Sequence, residues 1–349
     1  MRLLTGDEIS DTLLNLSRQD ARKLLDALSG AMASFTVQQS KSSKEQSIHQ
    51  PLRTVIQTAQ NNTTLVMPVS DSSTTAVKVA TVPANGPIQG AVTIYAATGQ
   101  LLGVLNAAEI TAFRTALASM TMLTRWAETV GGVEKREMVV FGAGKQAEWH
   151  VRLALLLVDE IQKVTVVNRT TKRLDDLERD TFGPLKISHS NVEFGCLAMD
   201  ANDYEFRMAD SLSAATVVCC CTPSKEPLFS SKQLMSGHSK PRFLSLIGSY
   251  KPDMQEVDTE TIRLAGKVWV DSREACGEEA GELIRAKIGK EDLVEAGELF
   301  RENAIVRLDP AASLTVFKCV GYALMDLTIA EALLDVAASK GLGTTIDNF

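Results

Sequence analysis

Residues 135–155 read KREMVVFGAGKQAEWHVRLAL, and the interpretation of this stretch decides the fold. Met138-Val139-Val140-Phe141 is a short apolar run, the pattern of a strand buried on both faces of a parallel sheet. Gly142-Ala143-Gly144 then turns the chain, and Lys145-Gln146-Ala147 opens a segment rich in helix formers. The turn has the form G-x-G-x-x-A. Gly142 permits the tight bend, Gly144 lets backbone approach a pyrophosphate, and Ala147 lets the helix lie close to the strand. Unpaired N–H groups and the positive dipole end of that helix favour a phosphate anion. A Gly-Ala-Gly turn alone is unspecific. Here a strand precedes it, a helix follows, and a second strand at 163–167 comes next, which is the context a dinucleotide site requires.

The second strand ends in Asn168-Arg169-Thr170, with Lys172 and Arg173 close behind. NAD sites usually place a carboxylate at this point to accept from the ribose 2′-OH. A neutral amide followed by cations suits a 2′-phosphate instead, so the sequence predicts NADP(H) in preference to NAD(H). The competing interpretation is that Arg169 and Arg173 only solvate a helix start.

The length of 349 residues allows two domains, each with its own core. Hydrophobic residues at 45% and charged residues at 23% describe an ordinary globular chain. A net charge of −7, with no basic tract, argues against a nucleic-acid partner. The first residues, MRLLTGDEISD, lack the apolar core of a signal peptide, and no run approaches the length of a membrane span. A cytoplasmic protein without a membrane partner is the expectation. The six cysteines form no C-x-x-C pair and the four histidines are scattered, so no metal site is predicted. Cys219, Cys220 and Cys221 lie in an apolar strand and read as small buried hydrophobes, with no histidine paired to them in sequence.

Residues 3–35 read as two helical pieces, the first opened by a Thr5–Glu8 capping box. The polar stretch 40–47 reads as a surface connection. A β-branched run at 76–82 carries Lys78 in its middle, and 90–95 with 101–105 reads as a hairpin across Thr98-Gly99. Asn106 caps a helix over 106–127, with Arg114 beside its apolar stripe. Further strands are predicted at 215–221, 243–247 and 268–270. Their ends, Thr222-Pro223-Ser224, Gly248-Ser249-Tyr250 and Asp271-Ser272, are candidates for cofactor contacts, because ligands bind at the carboxyl ends of strands in a doubly wound sheet. A helix after Gly321 is predicted to return to the first domain. The fold class is therefore α/β: a Rossmann-type doubly wound domain over 129–315, plus a second α+β domain built from both chain ends, 1–128 and 316–349.

With these residues in place, the chain resembles the ornithine cyclodeaminase/mu-crystallin family. The matching pieces are Pro51-Leu52-Arg53, Val77-Lys78-Val79, Glu109-Ile110-Thr111 with Arg114-Thr115-Ala116, and the turn from Gly142 to Ala147. Asn168-Arg169-Thr170, Gly248-Ser249 with Pro252-Asp253, Val270-Asp271-Ser272, and Val316-Phe317-Lys318 with Val320-Gly321 follow in family order. The resemblance implies a homodimer, a substrate and dimerisation domain combining both chain ends, and a nicotinamide cofactor. It also implies hydride exchange at the α-carbon of a small amino or imino acid. By the same resemblance, Arg53, Lys78 and Arg114 hold the substrate carboxylate, and Lys78 is the candidate catalytic residue, exchanging a proton with the substrate nitrogen. Strong charge-assisted donors fit that task. The expected cofactor set is Arg114, Thr115, Gly142, Ala143, Gly144, Lys145, Gln146, Asn168, Arg169, Thr170, Arg173, Thr222, Lys318 and Gly321.

One departure bears on the reaction. Ornithine cyclodeaminases carry an aspartate where this chain has Tyr250, and a phenol with an ordinary pKa of about 10 supplies no negative charge at neutral pH. The expectation is therefore NADPH-dependent reduction of a C=N bond next to a carboxylate. A cyclic ketimine such as pyrroline- or piperideine-2-carboxylate is the leading substrate, with Tyr250 shaping its pocket. Cyclodeamination, oxidative deamination of an amino acid, and ligand binding without turnover are the alternatives.

Overall fold

The computed structural model describes residues 1–39, 45–131, 135–237 and 240–347. The chain opens with β1 (Arg2–Leu4), α1 (Gly6–Leu14) and α2 (Arg18–Gln39), followed by β2 (Thr54–Gln57), β3 (Thr63–Ser70), β4 (Thr74–Val82), β5 (Gln89–Ala96), β6 (Leu101–Asn106) and α3 (Ala107–Val130). The fingerprint segment gives β7 (Arg136–Phe141), α4 (Lys145–Leu157), β8 (Ile161–Asn168) and α5 (Thr171–Leu177). Next come α6 (Gly183–Ser188), β9 (Glu193–Ala198), α7 (Tyr204–Ala214), β10 (Val217–Cys220), α8 (Ser231–Leu234), β11 (Arg242–Leu246), α9 (Thr259–Leu264) and β12 (Val268–Val270). The last part holds α10 (Arg273–Glu279), α11 (Gly281–Ala286), β13 (Leu293–Glu295), β14 (Leu314–Lys318), α12 (Ala323–Lys340) and β15 (Thr344–Thr345).

Two compact units result. One contains 1–114, 297–303 and 321–349; the other contains 115–296 and 304–320. In the first, a seven-stranded sheet has the order β15-β1-β6-β5-β4-β3-β2. Its strands alternate, and the row Met67, Lys78, Val92, Leu105 runs across β3 to β6 on the buried face. Helix α12 packs on β3, β4 and β5 and is itself packed against α2. The Thr5–Glu8 capping box forms, with Glu8 N donating to Thr5 Oγ1 and Thr5 N donating to Glu8 Oε2. It fixes the helix start at Gly6, so the helix does not begin at residue 3. Arg2–Leu4 instead pairs in parallel with β6 and buries Leu4. Most of the surface connection expected over 40–47, residues 40–44, lies outside the described residues.

The second unit holds an eight-stranded sheet of order β13-β12-β14-β11-β10-β7-β8-β9, parallel throughout. From β7 the chain winds outward through β8 and β9, then resumes on the other side of β7 with β10. The order thus reverses between β7 and β10, and their carboxyl ends flank the crevice where such sheets bind ligands. Strand β14 was not foreseen. Its five residues are all buried between β11 and β12, so the chain remains in this sheet beyond the expected boundary at 315/316. At the other boundary α3 runs unbroken past 128, and the grouping changes between Arg114 and Thr115.

Candidate functional site

In the first unit, Lys78 stands at the centre of β4 between Met67 and Val92 and is only 3% exposed. Its ammonium donates to Asp326 Oδ1 at 2.9 Å, and Arg114 Nε donates to the same oxygen at 3.1 Å. Asp326 comes from the first turn of α12 and is 1% exposed. Arg53, half-buried ahead of β2, is the third cation close enough to act on Lys78. Burial lowers the Lys78 pKa, Asp326 raises it, and Arg114 and Arg53 lower it again, leaving it at about 8. Asp326 is pushed up by burial, but Arg114 and Lys78 outweigh that and hold it below the ordinary carboxylate value. The structure therefore gathers Lys78 and Arg114 around a single buried carboxylate, with Arg53 near enough for its charge to act on Lys78.

Gly321 belongs to this cluster. Its φ of +82° is left-handed, and a Cβ there would stand 2.7 Å from Arg114 Nη2 and closer still to Nη1. The absence of a side chain gives the guanidinium its place, a packing role that the expected cofactor contact did not include.

In the second unit, the carboxyl ends of β7, β8 and β10 bring the glycine turn, Asn168 to Thr170 and Thr222 to one end of the sheet. Gly142 has φ +107°, and a Cβ there would lie 2.9 Å from the Cys221 carbonyl, so only glycine fits. Gly144 caps α4 without a side-chain bond, and nothing lies within 4 Å of the position a Cβ would take. Open space beside the N-terminus of a thirteen-residue helix suits a dinucleotide phosphate. Lys145 pairs with Glu148 at 3.5 Å, and Ala143 and Gln146 are half-buried. Asn168 Nδ2 donates to the Thr170 carbonyl at 3.0 Å, and Arg169 and Arg173 are exposed beside it with no acid before Asp175. Thr115 is buried in the same unit. Tyr250 is half-buried, with the Lys251 ammonium 5.7 Å from its ring centre.

Lys318 is a correction. It is wholly buried, donates to the Ser249 carbonyl at 2.5 Å and to Ser249 Oγ at 2.6 Å, and pairs with Glu282 at 3.1 Å. Burial lowers its pKa, but Glu282 and Glu256 outweigh that and keep it charged. An ammonium committed to three internal partners leaves the set of direct cofactor contacts.

Sequence reasoning missed Asp326, Glu256 and Glu282. Asp326 had a signal, an acid inside the apolar run ALMDLTIAEALL. Glu256 is buried and accepts from Thr222 N and Gly248 N, both at 2.7 Å, tying the ends of β10 and β11 together. Burial is the largest influence on it and, despite Lys318, raises its pKa to about 7. A histidine also proves to lie near the cysteine run, with Cys221 Sγ 3.7 Å from His150 Nδ1. That nitrogen faces the Gln146 carbonyl at 2.7 Å and therefore carries the proton, while Nε2 accepts from Ser119 at 2.9 Å. Burial lowers the His150 pKa to about 4 and raises that of Cys221, so the pair is neutral and cannot act as a thiolate nucleophile. Among the described residues no group of His, Cys, Asp and Glu is arranged to hold a metal, and no helix is long and apolar enough to cross a membrane.

The sequence and the fold both have relatives among known proteins. A Delta(1)-pyrroline-2-carboxylate reductase of Bacillus cereus is 27% identical over 96% of this chain and 100% of its own length. The solved structure of Thermococcus litoralis Delta(1)-pyrroline-2-carboxylate reductase with NADH and L-proline superposes with a TM-score of 0.80 at 21% identity, covering 99% of this chain and 100% of the other. An archaeal alanine dehydrogenase dimer with bound NAD gives 0.78 at 18% identity, covering 100% and 99%. Residues 17–341 match the family described as ornithine cyclodeaminase/mu-crystallin. The protein belongs to the ornithine cyclodeaminase/mu-crystallin family.

Proposed function

We propose that the protein is an NADPH-dependent reductase of a C=N bond adjacent to a carboxylate, with a cyclic ketimine of the pyrroline- or piperideine-2-carboxylate type as substrate. The observation that carries this reading is the convergence of Lys78 and Arg114 on one buried carboxylate of the first unit, with the Arg53 charge acting on Lys78 and Lys78 near pKa 8. Lysine and arginine donors of this kind are what a carboxylate drawn from water requires. The named reductase relatives support the substrate class, and Tyr250 weighs against cyclodeamination by leaving no acid for a side-chain amine.

In this mechanism Arg53 and Arg114 orient the substrate carboxylate, and Lys78 holds the proton whose transfer to the imine nitrogen makes the adjacent carbon electrophilic. A bound nicotinamide supplies the hydride. The glycine turn and the N-terminus of α4 would hold its pyrophosphate, and Arg169 and Arg173 would meet a 2′-phosphate. A cytoplasmic homodimer completes the reading.

The test follows the absorbance of NADPH and NADH with pyrroline-2-carboxylate, piperideine-2-carboxylate, 2-oxo acids with ammonia or methylamine, and ornithine with the oxidised cofactors. Rapid oxidation on the cyclic imines, at least about tenfold better with NADPH and levelled by Arg169→Ala with Arg173→Ala, supports it. NADPH binding with no oxidation on any acceptor refutes it in favour of a non-catalytic binder.

A further inference from the structure

Lys78 and Arg114 share one acceptor, Asp326 Oδ1, and all three side chains are buried. Two cations this close repel each other, so a common anion is needed to hold both. The other oxygen, Oδ2, is buried with no hydrogen-bond partner among the described residues. The carboxylate charge is therefore not shared with backbone N–H groups, and in a low-dielectric setting it acts on its two cations at full strength. A buried acid half-satisfied in this way is a poor device for stability alone, because apolar residues of similar volume usually serve as well.

We propose that Asp326 is a positioning residue of the substrate site: it fixes the Lys78 ammonium beside Arg114 and keeps that ammonium protonated to receive a substrate carboxylate. This inference rests on the reductase reading above. The groups facing Lys78 are Asp326 from α12, Arg114 from α3 and Arg53 from the segment before β2, while its strand neighbours Met67 and Val92 do not titrate. Asp326 is thus the anion opposing two cations that would expel the lysine proton.

The test uses pyrrole-2-carboxylate, a planar carboxylate that is not reduced, with binding measured by calorimetry from neutral to alkaline pH. NADPH binding by fluorescence is followed in parallel. In the wild-type protein, carboxylate affinity should fall as pH rises through about 8, where Lys78 loses its proton. Lys78→Met should abolish that midpoint. Asp326→Asn should move it down by about one pH unit or more, the effect of removing a close opposite charge. Asp326→Glu should keep the midpoint but weaken binding several-fold, because the carboxylate is displaced. NADPH affinity should be unchanged in all of them. An unshifted midpoint in Asp326→Asn overturns the proposal, as does a midpoint that survives Lys78→Met. If Asp326→Asn does not fold, Asp326→Glu decides, and wild-type affinity at every pH overturns the positioning role. A wild-type protein that binds NADPH but no carboxylate overturns the reductase reading instead, and this inference with it.

Discussion

Replacing Gly321 by alanine separates two roles for this residue, contact with the cofactor and accommodation of Arg114. At φ +82° an L-residue adopts the left-handed conformation, at a cost of about 1–2 kcal/mol. The added Cβ would also overlap the Arg114 guanidinium, which must move away. Nε is anchored by Asp326 at 3.1 Å, so displacement would fall on the two Nη nitrogens, of which Nη1 also lies 3.7 Å from Met325 Sδ. Loss of one charge-assisted bond to a carboxylate costs about 1.5–3 kcal/mol. At about 1.4 kcal/mol per decade, Kd for pyrrole-2-carboxylate and KM for the imine should rise about ten- to hundredfold. Calorimetry reads the first and NADPH oxidation the second, while NADPH fluorescence reports cofactor affinity, which should hold within about twofold. Unchanged carboxylate binding with lost NADPH affinity would refute this reasoning and return Gly321 to the cofactor.

Gly142→Ala places a Cβ 2.9 Å from the Cys221 carbonyl at φ +107°, so NADPH affinity should fall at least about tenfold while pyrrole-2-carboxylate binding persists. Lys318→Met leaves Glu282 and Ser249 without their buried cation and should cost about 3–5 kcal/mol, read by denaturant unfolding. Glu256 provides a pH signature. Its folded pKa is raised to about 7 from 4.5, so its contribution to stability is complete below pH 4.5 and is lost as pH rises through about 7. The loss is about 3 kcal/mol by linkage, and Glu256→Gln should remove that slope from unfolding curves measured across the interval.

The fingerprint was legible in sequence because its signals are local: an apolar run, two glycines and a helix start in consecutive residues. Strand β14 was not, because Leu314–Lys318 is a five-residue run that stops just short of the helix predicted after Gly321 and carries no alternation of its own. Arg2–Leu4 is too short to show alternation. The cations of the candidate site stood out as charges in apolar surroundings, but their common anion did not. Lys78 and Asp326 are 248 residues apart in sequence, and only the packing of α12 on β4 joins them. Lys318 shows the limit of such reasoning. Like Lys78 it is a lysine in a strand, and the family resemblance assigns both to ligand contacts, Lys78 to the substrate and Lys318 to the cofactor. The fold surrounds Lys78 with two arginines and one acid but gives Lys318 two acids, so one suits an incoming anion and the other is neutralised within the protein.

The late insertion of β14 has a consequence for biosynthesis. Strands β11 and β12 each lack one neighbour until Leu314–Lys318 is available, and the first sheet lacks its covering helix until α12 has been made. A nascent chain thus carries a bare apolar face from the completion of β6 until α12 is made, and unpaired inner edges from the completion of β11 until β14 is made. Shortening the chain ahead of residue 314 would leave both units unfinished at once, so an aggregating product is expected in place of a smaller soluble domain.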